Sequence, residues 1–238
     1  MDLMINIVGS ALILIIGAIV LYVRDKRGDP RGRQIAAVAD SFGMNYRGCD
    51  AWTESSAFLH LPIFRQGWDH MTLNTCSNVL TVHGRPHPLR MGDFEYTVGE
   101  GDNERSRQFS YLLVQLPFAG VPDLLIRPEG VLDRLTETVN TDALDIDFES
   151  AEFSRRFHVQ CDSKRFAYDL INPGLMECLL AAMPSRVEIA RGFMAVGDGS
   201  SMWTPEQFRG HYRMAKRFLE CWPPHLADLL ERGRWLEA

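Results

Sequence analysis

The sequence predicts an α+β fold: a single N-terminal transmembrane helix, then a mostly antiparallel sheet packed with helices. Three observations predict it. Leu3 to Val23 is a run of twenty-one residues without an acidic or basic (Asp, Glu, Lys, Arg or His) side chain. Residues 44–128 break into short runs rich in β-branched and aromatic residues, separated by glycine and proline. Beyond residue 128 the apolar period lengthens to that of helices, with a few strands between them.

The first segment sets the domain plan. At about 1.5 Å per helical residue it reaches roughly 30 Å, the thickness of a bilayer's hydrocarbon. A cleaved signal peptide fits less well, because no positive side chain precedes the core and Tyr22-Val23-Arg24 lacks the small residues of a cleavage site. A buried core helix rarely runs this long without charge. The plan is therefore a transmembrane helix over 1–23, a basic juxtamembrane linker over 24–33 and a cytoplasmic α+β domain over 34–238. The linker carries Arg24, Lys26, Arg27, Arg31 and Arg33 against two aspartates. By the positive-inside rule this flank puts the N-terminus outside an inner or plasma membrane and the large C-terminal part in the cytoplasm. The same cations suit anionic lipid head groups, though a stop signal accounts for them fully.

Composition is that of an ordinary globular chain, 46% hydrophobic and 24% charged, with a net charge of −6. The linker is basic, so the rest is more acidic than the whole. No basic stripe interleaves with aromatics, and nucleic acid is not an expected partner. Five scattered cysteines (Cys49, Cys76, Cys161, Cys178, Cys221) form no CxxC pair. They are expected as buried thiols in a reducing compartment.

Along the chain, Ile35, Val38, Ala39 and Phe42 have helical spacing and Gly43 suits the residue after a helix end, which predicts a helix over about 33–42. Strands are predicted at 57–61, 71–73, 78–82, 94–98, 109–116 and 124–126, with a polar hairpin tip over Gly99 to Arg107. A helix is expected at about 129–139, a strand edge at Ile146 and Phe148, and a strand at 157–159. Asp162 is the expected cap of a helix over 164–171. Asn172-Pro173 reads as N-cap and first residue of the next helix. Arg191-Gly192 joins two strands as a tight hairpin. Thr204-Pro205-Glu206-Gln207 is a capping box, and the helix it opens presents Phe208, Tyr212, Ala215, Phe218, Leu219 and Trp222 on one face.

One block is more specific than the rest. Phe153, Phe157 and Val159 are followed by Asp162, Ala167-Tyr168, Pro173 and Met176-Glu177, with Asn78-Val79-Leu80-Thr81 and Asp93-Phe94-Glu95-Tyr96 upstream. This pattern resembles the bacterial membrane family known as domain of unknown function 3137, over roughly residues 75–185. The resemblance implies membrane association and a compact domain. It attaches no catalytic role to any residue.

Physically, Phe153 and Phe157 share a face whether the segment is helix or strand. Arg155 and Arg156 stand among Asp145, Asp147, Glu149 and Glu152. An ion-paired surface turn explains them most simply; an arginine pair reading a phosphate or carboxylate is the sharper alternative. In that alternative Arg155, Arg156, His158 and Tyr168 line a ligand site.

Catalytic patterns are missing from the sequence. His83 and His87 lie four apart in a Gly/Pro turn that fixes no ligand geometry, and no second pair follows, so no metal is expected. There is no GxSxG elbow, no P-loop and no strand-bounded GxGxxG; Gly197-Asp198-Gly199-Ser200-Ser201 is a turn signature. No cofactor is implied. The expected function is docking: a membrane-anchored domain that binds the bilayer through its anchor and, through its globular part, a membrane or cytoplasmic protein or its own copies as a homo-oligomer. The alternative is a membrane-tethered enzyme or a small-ligand or anion sensor built on the Arg155, Arg156 and His158 region.

Overall fold

The computed structural model describes residues 29–50, 58, 60–118, 120–130 and 144–231. The chain begins there with helix α1 (Pro30–Ser41), started by Pro30 at its first position and by Asp29, whose side chain accepts from Arg31 N at 3.1 Å. Its buried face is Gly32, Ile35, Val38 and Ala39. Gly43, at φ +62°, takes the left-handed conformation that ends it.

Strands β1 (Asn45–Asp50), β2 (Trp68–Val82), β3 (Arg85–Val98) and β4 (Arg105–Gln115) form an antiparallel meander. His83 and Gly84 make the β2–β3 turn, both with positive φ, as a two-residue hairpin needs. The two short strands expected at 71–73 and 78–82 are one strand, because a bulge between Leu73 and Cys76 absorbs the irregular residues. Gly92 faces that bulge: a Cβ there would sit 2.9 Å from Leu73 O and 3.1 Å from Asn74 O.

The later strands are β5 (Leu124–Pro128), β6 (Leu144–Asp145), β7 (Phe157–Cys161), β8 (Val187–Ala190) and β9 (Phe193–Val196). All nine belong to one antiparallel sheet in the order β1-β2-β3-β4-β9-β8-β5-β7-β6. The meander is therefore continued by β9, the last strand among the described residues. The β8–β9 hairpin turns on Arg191-Gly192, as its sequence predicts.

Helices α2 (Ala151–Arg156), α3 (Lys164–Leu170), α4 (Pro173–Ala182), α5 (Pro205–Glu220) and α6 (Pro224–Glu231) join α1 in a single core with one face of the sheet. The other face over the meander is covered by Phe58, Leu61, Ile63 and Phe64, which pack on Phe94, Phe109, Tyr111 and Leu113. Of the strand expected at 57–61, Ala57 and Leu59 lie outside the described residues, and Phe58, His60 and Leu61 are in turn or bend conformation. Leu61 closes a turn and Pro62–Phe64 is a 3-10 turn, since Pro62 cannot donate to a ladder.

Several caps follow the sequence. Asn172 accepts from Leu175 N, and Thr204 and Gln207 form the reciprocal capping box. The cap of α3 is Ser163, not Asp162: its hydroxyl accepts from Phe166 N at 3.3 Å. The helix expected at 129–139 lies outside the described residues apart from Glu129 and Gly130, which form a turn.

The predicted membrane layout is corrected. No helix among the described residues is long and apolar enough to cross a membrane. The longest, α5, has 16 residues, about 24 Å, and charged side chains along one side. The segment Leu3–Val23 lies outside the described residues. The fold supported is the α+β part alone, and the placement as a single-pass protein with an outer N-terminus and a cytoplasmic domain is withdrawn on the same ground. Arg24, Lys26 and Arg27 also lie outside the described residues. Arg31 and Arg33 belong to α1 rather than to a linker.

Candidate functional site

The residues singled out around the family-like block lie on α2, β7 and α3. Arg155 and Arg156 are exposed in the last turn of α2, and Arg155 Nε donates to Ala151 O of its own helix at 3.1 Å. His158, on β7, stands 3.3 Å from Asp145 Oδ1 and 3.8 Å from Glu129 Oε2. Tyr168, on α3, is exposed, and its hydroxyl donates to Asp147 O at 3.0 Å. An anion brought to His158 would meet the carboxylates of Asp145 and Glu129. The block works as a brace: Phe153 and Phe157 are buried, and Phe153 meets Phe157 and, edge-on, Phe148, in one aromatic cluster that reaches Tyr168. Phe153 is in a helix and Phe157 opens a strand, so both conformations weighed from the sequence occur in turn.

A polar centre that the sequence did not reveal lies under α1. Asp93 on β3 and Ser110 on β4 are cross-strand partners on the helix-covered face, and both are fully buried. Arg31 reaches them from α1. Its Nε and Nη2 donate to the two Asp93 oxygens at 2.7 and 2.6 Å, and Nη2 also reaches Ser110 Oγ at 3.0 Å. Its Nη1 donates to Trp203 O at 3.1 Å. Asn74, in the β2 bulge, donates to Asp93 Oδ2 and accepts from Tyr46 OH. Ser110 Oγ donates to Asp93 Oδ1 and accepts from Trp203 N. Every member is satisfied, which is what a buried charge requires. The network pins the Trp203 loop to the sheet.

That loop forms one wall of a cleft of about 490 Å³. The other walls are the end of α4 (Ala181, Ala182, Met183) and the first two turns of α5 (Glu206 to His211). Trp203 is buried, and the His211 ring lies on it at 4.0 Å between centroids. Asp198 Oδ1 accepts from Ser200 N and Ser201 N at 2.8 and 2.7 Å, and Oδ2 accepts from Ser201 Oγ. Burial works to raise the Asp198 carboxyl, and these hydrogen bonds outweigh it, holding the group below the usual carboxylate range. Burial lowers His211 to about 4 against the opposing charge of Asp198, so the imidazole is neutral near pH 7.

The cleft lacks the wiring of a hydrolase. Ser201 Oγ gives its proton to Asp198, and an ionised carboxylate of depressed pKa is a weak base. The thiols are no better placed. Burial pushes Cys76 up to about 12 and Cys161 and Cys178 to about 11, away from the reactive range. Among the described residues no group of three or more His, Cys, Asp and Glu could hold a metal ion. His83 Nε2 lies 3.0 Å from Glu220 O at the rim of α5, while His87 is buried in β3, so the two do not face a common point.

The sequence held one sign of this cleft. The Gly197–Ser201 run reads as a turn, and Asp198 is the residue that organises it. Nothing in the sequence brings His211 or Met183 to the same place.

No protein-family model matches the chain, and no curated protein matches it. Among solved structures, the crystal structure of the mycobacterial trehalose monomycolate transport factor A, TtfA, is similar at a TM-score of 0.54 and 12% identity, covering 82% of this chain and 97% of that one. The chain thus resembles the TtfA chain of that structure in fold.

Proposed function

We propose that the chain is a non-catalytic accessory factor of a transport system, which acts by docking a protein partner at the Trp203–His211 cleft. The observation that carries this reading is the wiring of the cleft: its serine–carboxylate contacts belong to a structural turn, and its imidazole engages no nucleophile among the described residues. A walled, polar-rimmed opening without an activated group suits recognition rather than turnover. The transport context takes its support from the fold shared with a protein named as a transport factor.

The test places a photo-reactive phenylalanine at Ala182 inside the cleft, or at Arg105 on the distant β3–β4 hairpin, in the full chain in its source cells. The expected result is a discrete adduct with a component of a transport complex from position 182 and none from 105. Equal adducts at both positions, or none at either, would overturn the reading. Sedimentation of the purified chain separates the remaining case, an adduct with a second copy of itself.

A further inference from the structure

We infer that the cleft receives a cation carried on an apolar stem, the chemistry shared by an arginine or lysine side chain of a partner and by a free alkylguanidine or alkylamine. The inference rests on the cleft being a docking site, as proposed above.

Charge is the first argument. Among the described residues no lysine or arginine lines the cleft; its ionisable groups are Asp198, Glu206 and His211. Glu206 is already paired with Arg209 at 3.0 Å and points mostly into solvent. Asp198 is different. It is held in place by three hydrogen bonds from Ser200 and Ser201, and among the described residues no lysine or arginine pairs with it. The cleft therefore holds a fixed negative charge whose counter-charge is not supplied from within. An anionic ligand is repelled, and a purely apolar one would strip water from a carboxylate without replacing it.

Shape is the second argument. One wall is the tilted ring pair of Trp203 and His211, and another is Ala181, Ala182 and Met183. Methylene groups suit such walls, as do planar guanidinium groups beside aromatic rings. Met183 is held at φ +44°, a conformation that costs a non-glycine residue energy and turns the chain at the mouth of the cleft. The Arg31 network sets the floor by fixing both backbone polar groups of Trp203. A stem enters between the walls, and its charged end meets the Asp198 oxygens.

The test uses the full chain and follows the Trp203 indole and His211 ring signals by NMR during titration. The probes are N-acetyl-arginine N-methylamide, butylguanidine, and the neutral isostere N-acetyl-citrulline N-methylamide. Both guanidinium compounds are expected to shift these signals, with the citrulline compound at least tenfold weaker. Binding by the capped arginine well above that of butylguanidine assigns the cation to a partner's side chain; equal binding assigns it to a free amine or guanidine. Asp198→Asn should weaken binding at least tenfold. Since that change also loosens the turn, Ala182→Arg serves as the second variant: it plants a cation in the cleft from an exposed position and should abolish binding with an unchanged circular dichroism spectrum. Equal binding of the citrulline compound, or binding unaffected by either variant, overturns the inference. A cross-linked partner without guanidinium binding would leave the docking function standing and remove only the cation.

Discussion

Replacing Arg31 with methionine keeps much of the side chain's volume and removes the charge opposite Asp93. Asp93 is 1% exposed and cannot turn to water. It would lose two charge-assisted bonds of 2.7 and 2.6 Å and keep those from Asn74 and Ser110. Breaking a buried pair from one side costs about 3 to 5 kcal/mol, because an uncompensated charge remains. The two surviving donors put the expected loss at the lower end, about 3 kcal/mol. For a chain of this size that is a drop in melting temperature of roughly 6 to 12 °C. Asp93→Asn should cost less, since the Arg31 side chain is 27% exposed and can reach solvent. The double variant removes both charges and should be more stable than the sum of the single changes predicts, by about 1.5 kcal/mol or more. Urea unfolding at pH 7, followed by tryptophan fluorescence and circular dichroism, measures all three. A cost under about 1 kcal/mol for R31M, or simple additivity in the cycle, would refute the claim that this pair holds α1 to the sheet.

Gly32 lies where α1 crosses Tyr46, and a Cβ there would sit 2.7 Å from the Tyr46 hydroxyl. Gly32→Ala should therefore cost about 1 to 3 kcal/mol by crowding, and Tyr46→Phe in the same chain should recover part of it in a thermal melt. Thr204→Ala removes the capping box of α5 and should lower stability by about 1 kcal/mol in the same denaturation assay. His211 titrates at about 4 in the fold, below its ordinary 6.5, so its contribution to stability is complete above pH 6.5 and is lost as the pH falls toward 4. His211→Phe should flatten the stability-against-pH curve in that window by about 2 to 3 kcal/mol, and superimposable curves would count against a desolvated imidazole.

Sequence alone determined the local grammar of this protein. Asn172-Pro173, Thr204 to Gln207, and Arg191-Gly192 stand where their patterns place them, because each is decided by a hydrogen bond or a backbone angle within three or four residues. The aromatic period of α5 likewise carries its own instruction for which face is buried. The long-range partners were decided only in three dimensions. β4 joins β9 across some eighty residues, Arg31 finds Asp93 sixty-two residues away, and three separate stretches meet to enclose the cleft. The membrane layout read from the first residues finds no support in any helix the structure describes. An arginine in a basic flank looks the same in sequence whether it faces solvent or a buried carboxylate. The difference is set by what the folded sheet presents to it, since a buried charge persists only where the rest of the chain has assembled its partners.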